Sequence, residues 1–388
     1  MNKDIKLTYD DVMIVPESVS NISSRSECNP YDQYGMLPIF TAPMSTVVNE
    51  YNYTEFLNNG IGVVIPRSVQ YDYRIGFIIP TTKDYGRSPF VAVSISEARD
   101  FFIGETAPDS LVMCKGAYNA GFKSRICIDV ANGHMFNLLE LVKEIKQKYG
   151  DSVEIMTGNI ANPNTIRLYE MAGVDYCRVS IGTGSGCLTA SNTGIYYPQF
   201  SLLEEIYRIK KDENIKCKIV ADGGIRGYRD IQKALVFADY VMIGGLFNKA
   251  MESAGKTTYG NFYFNFLGKK RINFIKNLLY KGKEVDVISN KLFDDMKDGK
   301  VELYKEFYGM STKKAQTVVA FSSGESDIKR LKTSEGIVKK NPVEFKLASW
   351  VENETDYLKS AMSYTNSRTL DEYKGSQYVV MDRIQFNN

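Results

Sequence analysis

Eight short apolar runs recur along the chain with helical stretches between them, and this alternation restricts the fold more than any other feature. The runs are Leu37–Thr41, Gly62–Ile65, Val91–Ser94, Arg125–Asp129, Val153–Met156, Tyr176–Val179, Lys218–Ala221 and Tyr240–Ile243. Each has an ordinary strand length, and most are apolar on both faces, as buried parallel strands are. Between the fourth and fifth, Leu138, Val142, Ile145 and Tyr149 share one face of a helix over Met135–Tyr149, with Glu140, Glu144 and Gln147 opposite. Asn164–Met171 and Phe200–Lys210 also read as helices. Strand–helix alternation implies parallel pairing through right-handed crossovers. Eight units predict an α/β fold, a closed (β/α)8 TIM barrel; a doubly wound sheet is the rival.

The polar and glycine residues favour the barrel. Ala42-Pro43-Met44, Pro66-Arg67, Val130-Ala131-Asn132-Gly133, Gly158-Asn159, Gly182 to Cys187, Asp222-Gly223-Gly224 and Gly244-Gly245 all follow predicted strands. That is the face on which barrel enzymes build their sites. Only the third strand lacks such an ending. Beyond the eighth strand, Gly255–Leu303 reads as an insertion packed on the rim. Ser311–Lys340 reads as a polar loop of the kind that closes over a site. From Pro342 the pattern returns to helix, with Phe345, Leu347, Trp350, Val351, Tyr357, Leu358 and Met362 available to cover the barrel. The 388 residues are thus expected to form a single catalytic domain with an insertion at about 255–303 and a flap at about 311–340.

Composition removes several function classes. With 48 Lys and Arg against 46 Asp and Glu, the net charge of +2 gives no field that would draw nucleic acid or a membrane. No apolar run approaches the roughly 18 residues of a spanning helix. Met1-Asn2-Lys3-Asp4 has no apolar signal core, so a cytoplasmic location is expected. Six scattered cysteines then read as reduced thiols. A single histidine weighs against a Ser-His-Asp hydrolase or a multi-His metal site, and His134 reads as a helix-start residue.

Cys187 stands in Gly182-Thr183-Gly184-Ser185-Gly186-Cys187-Leu188-Thr189. Glycines let this backbone turn sharply at a barrel mouth, which suits an accessible nucleophile. Cys127, Cys177 and Cys217 lie in or beside strands and read as structural. Thr189 can relay a proton or simply hydrogen-bond within its loop. The glycine pairs after the seventh and eighth strands suit phosphate, and the Asp222 carboxylate suits two sugar hydroxyls, so a nucleotide is a sensible ligand; plain turn chemistry is the alternative. Asp129 either binds a second ligand or caps the next helix. Neither a Walker A sequence nor a Gly-x-Gly-x-x-Gly after a first strand is present.

Together these segments resemble the IMP dehydrogenase/GMP reductase family. Leu7-Thr8-Tyr9-Asp10-Asp11-Val12 is similar to its opening segment, Ala42-Pro43-Met44 to its first barrel loop, Gly182 to Thr189 to its catalytic cysteine loop, and the two glycine pairs to its phosphate loops. Asp129 to Gly133, Thr193 to Gln199, Phe307 to Ser311 and Ser334-Glu335-Gly336 resemble the reductase branch. The Arg-Tyr pair of dehydrogenase flaps is not evident in Ser311–Lys340. The resemblance implies conversion of GMP to IMP and ammonia with NADPH as hydride donor. It implies Cys187 as nucleophile, with Thr189 and Glu335 as proton-transfer partners. Substrate would be held by Met44, Ser185, Asp222, Gly223, Gly224, Gly244, Gly245, Tyr308, Gly309, Met310, Ser334 and Gly336. The cofactor would meet Ser24, Arg25, Arg67, Asp129, Val130, Ala131, Ile181 and Gly182. Carbonyls of Gly182, Gly184 and Cys187 match those that bind a monovalent cation, K+, in relatives, although Thr183, Gly186, Leu188 and Ala190 depart from the family pattern. Relatives form tetramers, so a homo-oligomer is implied. The alternatives are the dehydrogenase reaction, IMP to XMP with NAD, and an idle nucleotide-binding barrel.

Overall fold

In a computed structural model, which describes residues 5–78, 88–105, 107–184, 188–322, 333 and 336–381, the eight runs form one parallel sheet rolled into a barrel. Its strands are β1 (Ile39–Thr41), β2 (Val64–Ile65), β3 (Phe90–Val93), β4 (Ser124–Asp129), β5 (Val153–Ile160), β6 (Tyr176–Val179), β7 (Lys218–Asp222) and β8 (Tyr240–Ile243). They pair in chain order from β2 to β8, and β8 pairs with β1 through Val241 and Ile39. A parallel bridge between Phe40 and Gly62 joins β1 to the start of β2 and closes the cylinder. Gly62 is required there, because a Cβ would lie 2.6 Å from the Phe40 ring.

Side chains alternate along each strand, so every second residue fills the interior. Phe40, Phe90, Tyr176 and Tyr240 pack as a contiguous aromatic layer, with ring centroids 5.0 Å apart for Phe40 and Tyr240 and 5.1 Å for Phe90 and Tyr176. Ala92, Cys127, Met156, Val220 and Met242 belong to the same interior cluster. The outer helices bury their apolar faces on the sheet. Phe136–Tyr149 buries Leu138, Val142, Ile145 and Tyr149, as its periodicity predicts, and Gly150 ends it at φ +58°. Leu347–Tyr364 covers the barrel with Leu347, Trp350, Leu358 and Met362, while Tyr357 stays at the surface against Tyr228. Near the ends of the chain, the short strand Val12–Ile14 pairs antiparallel with Tyr378–Val380.

Beyond β8 a second, antiparallel sheet stands on the rim. It comprises β9 (Thr257–Phe266), β10 (Lys269–Ile272), β11 (Glu284–Val285), β12 (Val301–Tyr308) and β13 (Val338–Pro342). The order is β10–β9–β12–β13, with β11 also on β9. Helices Phe274–Tyr280 and Asn290–Lys297 accompany it, and Ile288, Phe293, Val301, Leu303 and Val343 form its own small core. The sheet therefore reaches past Leu303 to Pro342. Within the polar stretch 311–340, Lys313–Ser322 is helical and Val338–Lys340 belongs to β13.

One buried side chain rivets this sheet to the barrel. Asn248 Nδ2 donates to the Thr46 carbonyl at 2.8 Å and to the Glu306 carbonyl at 2.9 Å, and its Oδ1 accepts from Asn341 Nδ2 at 2.8 Å. Gly255 lies so close that a Cβ would come within 2.7 Å of Asn248 Nδ2.

Candidate active site

The inward alternation that stacks Tyr176 in the aromatic layer puts Arg178 one layer higher, at the barrel mouth. Burial works against its charge, but the Asp222 and Asp129 carboxylates more than offset this and hold the guanidinium well above its ordinary range. Arg178 Nη1 meets Asp129 Oδ1 at 2.6 Å; Nε and Nη2 meet Asp222 Oδ2 at 3.0 and 2.8 Å. Asn159 Nδ2 donates to the same Asp222 oxygen at 2.7 Å. All three bonds fall on Oδ2, which leaves Oδ1 with its acceptor capacity among the described residues. The Arg178 side chain is only 8% exposed, so this is a largely desolvated fork that fixes two carboxylates from separate strands, β4 and β7.

Glycine makes the close approach possible. Gly158 takes φ +145°, and a Cβ there would lie 2.4 Å from the Arg178 carbonyl oxygen. Gly133 donates its N–H to the Asn159 carbonyl at 2.9 Å and accepts from Tyr169 Oη at 2.9 Å, which steadies Asn159 from below. The sequence by itself assigns no role to Arg178 or Asn159. The usable signal was period two: a charged residue inside an apolar strand, on the same face as Tyr176.

The other loops converge on this network. Gly223, at φ +102°, would place a Cβ 2.6 Å from Thr183 Oγ1 and 3.3 Å from Gly184 N, so the β7 loop touches the loop that leads to Cys187. Ser180, at the start of that loop, hydrogen-bonds Thr183 through the two hydroxyls. Gly224 faces the Tyr9 ring, which brings the opening segment to the same place. Gly244 would put a Cβ 2.8 Å from Met44 Sδ, so the β1 and β8 loops are also in contact. Ser45 Oγ donates to Tyr308 Oη at 3.3 Å, which sets the end of β12, and Gly309-Met310 after it, beside Met44. Gly245, Ile181 and Gly182 are half-buried at the loop bases, and Val130 packs on the core beyond Asp129 while Ala131 is exposed. Thr189 opens the short helix Thr189–Thr193, and its carbonyl accepts from Thr193 Oγ1 at 2.7 Å. Gly336 is half-buried just before β13. Ser185, Cys187, Ser334 and Glu335 lie outside the described residues, and with Cys187 so does part of the carbonyl set Gly182, Gly184 and Cys187.

Two further groups sit away from the Arg178 network. Arg67, after β2, has its carbonyl under Ser322 Oγ at 2.7 Å, so the end of helix Lys313–Ser322 rests on it. Its Nε is buried without a hydrogen-bond partner among the described residues, 3.8 Å from Glu97 Oε2. Glu97 also pairs, more closely, with the fully buried Arg74 at 2.5 Å. Ser24 caps a short 3-10 turn, and Arg25 bonds Asp356 at 2.9 Å and Ser360 at 3.4 Å, both on helix Leu347–Tyr364. The structure therefore attaches Ser24 and Arg25 to that outer helix rather than to the barrel loops. His134 is held by Thr165 Oγ1 and by the Ala161 N–H, a local support for the β5 loop. Burial pushes the Cys127 thiol up to about 12, and Cys177 and Cys217 further, which fits inert interior cysteines. Among the described residues no group of three or more His, Cys, Asp or Glu is placed to hold a metal ion.

Residues 6–277 match the model of the IMP dehydrogenase / GMP reductase domain. The chain belongs to the IMP dehydrogenase/GMP reductase family. It is similar to GMP reductases of Staphylococcus aureus strains JH9, N315 and Newman, at 29% identity over 342 residues in each case. The similarity covers 86% of this chain and 97% of each relative. Family membership accords with a barrel whose carboxylate and glycine loops meet at the carboxyl ends of the strands. Among the described residues, no helix is long and apolar enough to cross a membrane.

Proposed function

We propose that the protein is a GMP reductase that converts GMP to IMP and ammonia through a covalent bond between Cys187 and C2 of the purine. The observation that carries this reading is the similarity to proteins named GMP reductase over 86% of the chain. The barrel mouth suits a nucleotide. Asp222, held on one oxygen by Arg178 and Asn159, offers the other to the ribose hydroxyls. The loops of Ser185, Gly223, Gly224, Gly244 and Gly245 let backbone N–H groups approach the phosphate. Met44, Tyr308, Gly309 and Met310 flank the base, with Ser334 and Gly336 at the flap end.

In this mechanism the Cys187 thiolate attacks C2, and the C2–N2 bond breaks as ammonia departs with protons passed by Thr189 and Glu335. NADPH, when bound, supplies hydride to C2. The C2–S bond then breaks and returns the electron pair to Cys187. Arg67, ion-paired to Glu97 at 3.8 Å, supplies a cation suited to a phosphate-bearing cofactor, and Asp129, Val130, Ala131, Ile181 and Gly182, on the β4 and β6 loops, complete the set that the family resemblance gives. Ser24 and Arg25 belong to this set only if the outer helix of a second copy borders the mouth in a homo-oligomer.

The assay is absorbance at the nicotinamide band with the protein, GMP and NADPH. Loss of NADPH with one ammonia per nucleotide is the expected result. NADH formed from IMP and NAD, with no reaction of GMP, would assign the dehydrogenase reaction instead. Nucleotide binding with turnover in neither direction would make the protein a binder.

A further inference from the structure

The global charge of +2 conceals a sharp local imbalance. Thr257–Lys283 contains Lys269, Lys270, Arg271, Lys276, Lys281 and Lys283, and no acidic residue. This stretch is the β9–β10 hairpin and helix Phe274–Tyr280, the outer part of the rim sheet. Its apolar residues are not buried. Leu278 is 88% exposed, Leu267 85%, Phe274 81% and Ile275 75%, and the helix has no buried residue.

These exposed groups form one face. Strand alternation places Phe262, Phe264 and Phe266 on the same side of β9. The Tyr280 ring lies 5.9 Å from that of Phe262, so the helix packs on this side. Cross-strand pairing puts Lys269 opposite Phe266 and Arg271 opposite Phe264, and Arg271 lies over the Phe266 ring. Leu267 is at the apex of the hairpin. The result is an apolar face ending in an apolar tip and rimmed by cations.

We propose that this arm docks on an anionic phospholipid surface, with Leu267, Phe274, Ile275 and Leu278 entering the interface and the lysines and arginine meeting headgroups. Glu302 is taken up by Tyr263 Oη at 2.8 Å on the opposite face of β9, so cations and hydrocarbon interleave on the Phe264–Phe266 side, which is the complement of such a surface. The most exposed groups are mainly aliphatic, which suits acyl chains better than the stacked bases of a nucleic acid. A two-fold contact with a second copy would set the Lys269 and Arg271 rims against each other. The helix is too short to span, so the docking is peripheral. The inference is independent of the chemistry at the barrel mouth.

The test is co-sedimentation of the whole protein with vesicles of phosphatidylcholine alone and of phosphatidylcholine with phosphatidylserine. The expected result is binding to the anionic vesicles only, weakened by salt. A basic residue near such a surface contributes about a fivefold factor, so Lys269→Gln and Arg271→Gln together lower partitioning about 25-fold, whereas Lys270→Gln, on the Tyr263 face, lowers it less. Leu278→Glu lowers it at least about tenfold. Because these side chains are exposed, an unchanged thermal transition shows that each variant is folded. Equal binding to both vesicles, or to neither, overturns the proposal. So does a preference for single-stranded RNA, or a smaller oligomer for Leu278→Glu by light scattering without lipid, which would assign the face to nucleic acid or to a second copy.

Discussion

Replacing Arg178 with Met keeps much of its length and removes the fork that holds Asp129 and Asp222. The fork makes contacts of 2.6 and 2.8 Å to two carboxylates and is largely desolvated. Removing one partner from a buried ion pair costs about 3–5 kcal/mol, because the remaining charges are left unpaired. At about 2.1 cal/mol/K of unfolding entropy per residue, a chain of this size loses about 4–6 °C in Tm. The functional effect is separate. Asp222 keeps only Asn159 on Oδ2, so the carboxylate is free to turn away from the ribose, and a charged hydrogen bond of about 1.5–3 kcal/mol is at stake. That predicts KM for GMP raised about ten- to a hundredfold. Arg178→Lys restores a charge but not the bidentate geometry, so it falls between the two. Thermal unfolding and steady-state kinetics read both quantities. An Arg178→Met protein with unchanged Tm and unchanged KM would refute the reasoning.

Gly158→Ala forces a side chain into φ +145° and against the Arg178 carbonyl; unfolding measurements should show a loss of about 3 kcal/mol or more, and GMP turnover should fall with it. Lys305 is buried in the rim sheet, and desolvation lowers its pKa from 10.5 to about 8 despite Glu252. In the unfolded chain it would hold its proton up to about pH 10.4, so its penalty is complete below pH 8 and is relieved as pH rises from 8 towards 10.4. Lys305→Met removes that relief. Chemical denaturation at several pH values should therefore show the variant's advantage over the parent shrinking by up to about 3 kcal/mol across this range, and a pH-independent difference would refute the assignment.

The barrel is legible because each strand is a compact, mainly apolar run, and all but the third are followed by loops rich in glycine, proline or polar residues. Tyr176–Val179 and Tyr240–Ile243 have the ends read from sequence. The sequence predicts that the fifth strand ends at Met156, since Thr157-Gly158-Asn159 looks like a loop, yet the ladder continues to Ile160. There Gly158 serves the approach of Arg178 and not a turn. For the same reason Arg178 and Asn159 were missed: run-based reading records that a strand is apolar, whereas the site depends on which residues alternate inward. Helix Lys313–Ser322 was hidden by its Ser, Thr and Lys content, for it buries little beyond Ala315. The Asn248 rivet joins backbone carbonyls more than 50 residues away in either direction, and no local pattern encodes it.

Turnover of GMP with NADPH by Cys187→Ala, beside nucleotide binding by the same protein, tests the covalent route most directly. The account predicts that nucleotide still binds and that NADPH consumption falls at least about a thousandfold, since the described cysteines are all buried and none can replace the nucleophile. Reduction at the parent rate would contradict it.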